Sequence, residues 1–186
     1  MKEPKVEVKS VRFHEGHEGT GVNADVWING VKCLHVRDDG NGGCLDINGL
    51  AYDNKTPSVV MGLINTLNEF VDSIPEKPLN FGHGDIKDDQ GNVRMYKTSL
   101  EDYINELLYA YERKKEEKKI EKLMQTALLF GIPDGGGYKY YQFKKPLSEI
   151  PVQHLQTRLN VLVMENCKKG VQVLNTNLKE LGLVIN

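Results

Sequence analysis

Cysteine is scarce, with 3 residues in 186 and no paired spacing. That argues against a disulfide framework and suits a reducing, cytoplasmic compartment. No apolar run approaches the ~18 residues a transmembrane helix needs, so no membrane partner is expected. The opening residues Met1-Lys2-Glu3-Pro4-Lys5 lead into alternating charge without an apolar stretch, so no secretory signal is expected. Neither sign of charge dominates. Lys and Arg number 24 against 26 Asp and Glu, net −2. A general nucleic-acid binder would carry a basic excess. The chain also lacks a G-x-S-x-G elbow, a Walker loop and a dinucleotide fingerprint preceded by a strand. No catalytic residue and no cofactor are therefore assigned.

The apolar residues that are present, 39% of the chain, suffice for a modest core and for one or two domains. Their pattern predicts an α+β protein: a small antiparallel sheet in the N-terminal third, then helices. Val22 to Ile28 and Val31 to Val36 alternate around Asn29-Gly30, a type I′ hairpin signal. A two-residue loop would set Ile28 opposite Val31, Val26 opposite Cys33 and Ala24 opposite His35. Val6, Val8, Val11 and Phe13 suggest a strand before it, and Leu45, Ile47 and Leu50 one after it. The glycine-rich stretches 14–21 and 38–43 read as sheet connections. A helix capped by Thr56 or Ser58 runs from Pro57 to a stop at Pro75. Asp88 to Asn92 mark a hairpin turn, since the calcium-loop pattern fails at Lys87.

Ser99 and Asp102 form a capping box for a long helix near 99–130, with Gly131 and Pro133 as stop signals. Its apolar stripes, Ile104 to Tyr111 and Ile120 to Leu128, differ by roughly 210° in azimuth. Either the helix bridges two bodies or it breaks. A homo-oligomer in which each helix serves two subunits is an economical expectation. The run Glu112 to Lys119 interleaves acids and bases and reads as a solvated face. Tyr138 to Lys145 is strand-like, Ser148 to Cys167 a further helix, and Asn177 to Leu181 a short last one. Two parts are expected, 1–98 β-rich with one helix and 99–186 helical with a hairpin, or one continuous domain.

The candidate site is the glycine, tyrosine and lysine stretch. Gly135, Gly136 and Gly137 let a backbone approach a ligand and offer N–H groups to an anion. Tyr138 and Tyr140 supply faces for a base, and Lys139, Lys144 and Arg158 supply charge for phosphate. The ordinary alternative is an edge hairpin with half-buried tyrosines and guarding lysines. A metal site from His14, His17, His83 and Asp85 is a further candidate, although the spacing is not that of a zinc protease helix.

The runs Gly21 to Lys32 and Ala127 to Tyr138 resemble pieces of small uncharacterised proteins encoded by bacteriophages and prophages. The resemblance transfers no functional residue. It implies a counter-defence class, in which some members sequester nucleotide signals and others inhibit host proteins. Three functions follow as expectations: a non-enzymatic binder of a small phosphorylated or nucleotide signal, an inhibitor of a host protein, or a metal-dependent hydrolase.

Overall fold

The computed structural model describes residues 3–50, 57–80, 84–133, 137–167 and 170–185. They form an α+β protein with an antiparallel sheet at the front and helices after it. The chain divides into two compact units, Met1–Glu112 and Arg113–Asn186.

In the first unit, β1 (Val6–Glu15), β2 (Thr20–Ile28), β3 (Val31–Asp38) and β4 (Asp46–Gly49) pair in chain order as an antiparallel meander. Asn29 and Gly30 take φ of 50° and 82°, the two positive values a type I′ turn requires. Ile28 faces Val31 as expected. Beyond that pair the register differs. A bulge at Cys33 places Val26 opposite Leu34 and Ala24 opposite Val36. One extra residue on one strand flips every later side chain, so Leu34 and Val36 enter the core and His35 turns to the outer face. There its Nδ1 lies 3.0 Å from Asp25 Oδ1. The glycine-rich connections pack on each other. Glu18 N donates to Gly40 O at 2.9 Å, and a Cβ on Gly16 would collide with the backbone of Asp39 and Gly40.

Four elements complete this unit: α1 (Pro57–Ser73), β5 (Lys77–Pro78), β6 (Met95–Tyr96) and the first half of α2 (Leu100–Met124). Thr56, an expected cap, lies outside the described residues. Val60, Leu67 and Val71 of α1 and Ile104 and Leu108 of α2 join the core face of β2 and β3. The capping box of α2 is reciprocal. Asp102 N donates to Ser99 Oγ at 3.1 Å, and Ser99 N donates to Asp102 Oδ2 at 2.8 Å. The Ser99 hydroxyl and N–H hold the Asp102 carboxyl below the usual aspartate range. At the hairpin of residues 88–92, the Asp88 carboxylate accepts the N–H groups of Gln90 and Asn92, each at 2.9 Å.

The second unit holds β7 (Ala127–Gly131), β8 (Tyr138–Gln142), α3 (Val152–Asn166) and β9 (Gln172–Val173), with the sheet ordered β8-β7-β9. The expected helix to residue 130 is corrected here. It stops at Met124, and Ala127 to Phe130 are strand. A short unbroken apolar run fits a buried helix segment and a buried central strand alike. Burial on both sides decides for the strand. Ala127 and Leu129 pack with Ile120, Leu123 and Met124 of α2. Leu128 and Phe130 pack with Leu155, Leu159 and Leu162 of α3. The second stripe of α2 is thus covered by this chain's own sheet.

Two further boundaries move. The third helix begins at Val152 rather than Ser148, because Pro151 supplies no N–H and stands as its N-cap residue; Leu147–Glu149 form a single 3-10 turn. The expected helix from Asn177 to Leu181 is a run of turns, too short to offset helix nucleation. Asn175 is buried and acts as a ladder partner: its Oδ1 accepts Leu129 N at 2.7 Å and its Nδ2 donates to Ala127 O at 2.9 Å.

Two substitutions test these assignments. Gly30→Val forces a β-branched residue into positive φ and should cost about 1–3 kcal/mol in denaturant titration. An unchanged midpoint would remove the turn assignment. Asn175→Ala strands a buried donor and acceptor on β7 and should cost about 1–3 kcal/mol for each group left unpaired.

Candidate functional site

The β8 sequence Tyr-Lys-Tyr-Tyr-Gln alternates across an edge strand of the second unit's sheet. Cross-strand pairing sets the faces. Tyr138 lies opposite Gly131, Tyr140 opposite Leu129 and Gln142 opposite Ala127, on the side of α2. Lys139 and Tyr141 lie opposite Phe130 and Leu128, on the side of α3.

On the α2 side is a groove of about 460 Å³, lined by Lys119, Lys122, Leu123, Gln125, Thr126, Tyr138 and Tyr140. The tyrosine rings stand 6.5 Å apart at 48°. Tyr140 is 56% exposed, so its face is open to a ligand. Glu116 organises the other end. It accepts the Tyr138 hydroxyl at 3.2 Å and pairs with Lys119 Nζ at 3.3 Å. Burial, and then the charge of Glu116, push the Tyr138 hydroxyl above the usual tyrosine range. The Lys122 ammonium has no ion-pair partner among the described residues. Gln142 Nε2 donates to Thr126 Oγ1 at 2.8 Å and ties the strand to the end of α2.

The expected site residues separate around β8. Tyr138 and Tyr140 share the groove just described. Gly137, Lys139 and again Tyr138 line a second groove of 470 Å³ on the α3 side, with Glu165 and Asn166. Gly135 and Gly136 lie outside the described residues. Lys144 is exposed past the end of β8. The Arg158 guanidinium stacks 4.3 Å over the Tyr141 ring, so it serves the face away from the tyrosine pair. Lys119 and Lys122 were not expected. Their signal in the sequence is the i,i+3 spacing of two cations in the last turns of α2, hidden by the acids around them.

The other candidates contribute less. Among the described residues no three His, Cys, Asp or Glu side chains are placed to hold a metal ion. His83 lies outside them, and the His14 imidazole packs where a Cβ on Gly21 would stand. Cys33 is buried, which pushes its thiol up. No helix among the described residues is long and apolar enough to cross a membrane. Comparison with family models, with curated proteins and with solved structures finds no match.

Glu116→Gln keeps an acceptor for Tyr138 and removes the charge. In an ultraviolet difference titration the Tyr138 ionisation should move part of the way back toward the ordinary range. An unchanged titration would leave burial as its entire cause.

Proposed function

We propose that the second unit is a non-enzymatic binder of a small phosphorylated ligand bearing an aromatic base. The observation that supports this is the tyrosine pair of β8 standing beside Lys119 and Lys122 of α2. A base stacks on tyrosine faces without regard to its sequence identity, and ammonium groups neutralise phosphate as point charges. Leu123 gives the groove an apolar floor, while Gln125 and Thr126 supply polar groups for orientation. Retention of such a ligand is a sink for a nucleotide signal, the counter-defence role that the phage-like segments imply. The free cysteines Cys33, Cys44 and Cys167 suit a cytoplasmic setting.

A second reading is inhibition of a host protein by strand addition. It is favoured by the position of β8 at the edge of its sheet.

Calorimetry with a panel of mononucleotides, cyclic nucleotides and ADP-ribose tests the first reading. Tyr140→Ala should cost about 1–3 kcal/mol of binding while leaving the fold intact, since the ring is exposed. Lys122→Ala should weaken binding and flatten its salt dependence, because exposed charge pairs are screened. If no member of the panel binds, the nucleotide reading falls and strand addition becomes the better one.

A further inference from the structure

We infer that the ligand is a guanine dinucleotide, with one nucleoside on each face of β8. This rests on the nucleotide reading of the α2-side groove. Three observations carry it further. The two grooves are nearly equal, 460 and 470 Å³, each within the ~300–1,000 Å³ range of small-molecule sites. Tyr138 lines both, so they meet at one residue. Beside it, a Cβ on Gly137 would meet no atom within 4 Å, leaving the backbone there open to a linking phosphate, with Lys139 two residues further on.

The two grooves differ in chemistry. Lys119 and Lys122 give the α2 side two cations, the first of them paired with Glu116. The α3 side carries Lys139, Glu165 and Asn166. Asn166 Nδ2 donates to Leu162 O at 2.9 Å, which leaves the side-chain carbonyl as its acceptor. Glu165 when ionised only accepts. With Lys139 taken up by the linking phosphate, the remaining side-chain groups of this face, the Glu165 carboxylate and the Asn166 carbonyl, are acceptors and call for a group rich in donors. The Watson–Crick edge of guanine presents a ring N–H and an amino group side by side. Adenine presents one amino group beside an acceptor, which a carboxylate disfavours.

Calorimetry at fixed salt with guanosine monophosphate, the linear guanine dinucleotide and the linear adenine dinucleotide tests this. The guanine dinucleotide should bind about ten-fold or more tighter than the monophosphate, since the second nucleoside binds intramolecularly. Glu165→Ala should bring the guanine dinucleotide down to the affinity of the monophosphate and leave the monophosphate unchanged. Tyr140→Ala should weaken both. Equal binding of monophosphate and dinucleotide, an adenine dinucleotide that binds as tightly as guanine, or an inert Glu165→Ala would each overturn the inference while the mononucleotide site stands. If the monophosphate does not bind either, the α2-side site falls with it.

Discussion

Burial of β7 on both faces is the constraint on which the second unit depends. All five residues from Ala127 to Gly131 are buried, so each backbone group must find a partner inside the protein. β8 supplies a full ladder on one edge. β9 supplies only Gln172 and Val173 on the other, opposite Gly131 and Phe130. The side chain of Asn175 completes that edge by bonding the N–H of Leu129 and the carbonyl of Ala127. Asn177 Nδ2 donates to Met124 O at 3.1 Å and satisfies a carbonyl at the end of α2. Asn175, with the Leu174 N–H that donates to Leu129 O at 2.9 Å, thus serves the buried strand, and Asn177 serves the end of the helix before it.

The same strand distributes the groove residues. Because β7 alternates Ala127 and Leu129 against Leu128 and Phe130, its neighbour β8 must alternate with it. The tyrosine pair therefore falls on the α2 side, and Lys139 and Tyr141 on the other. A single β-strand thereby gives one groove stacking faces and the other a charge. Glu116 bonds Tyr138 and Lys119 at once.

The long helix α2 shows how one element serves two hydrophobic clusters. Its first turns are fixed by the Ser99–Asp102 box and by Ile104 and Leu108. Its last turns are fixed by Ile120, Leu123 and Met124. The charged middle belongs to neither cluster and remains exposed apart from half-buried Glu116. Exposed ion pairs there, such as Lys119 with Glu116, contribute little to stability on their own. Lys119 also lines the groove beside the tyrosine rings.

Local chemistry was legible in the residues alone. The Asn29-Gly30 turn, the capping box of α2, the α1 helix and the tyrosine strand all follow from rules that span four or five residues. The alternation that divides β8 into two faces was legible for the same reason. Tertiary packing decided the rest. Whether Ala127 to Phe130 continued a helix or crossed a sheet depended on what covered both sides, and an apolar run carries no mark of that. The bulge at Cys33 depended on which of Cys33 and Leu34 the core accepted opposite Val26. Lys119 and Lys122 became site candidates only when a strand from later in the chain brought two tyrosines to them. Arg158 was removed from that pair by the same alternation, because α3 packs on the opposite face of β7.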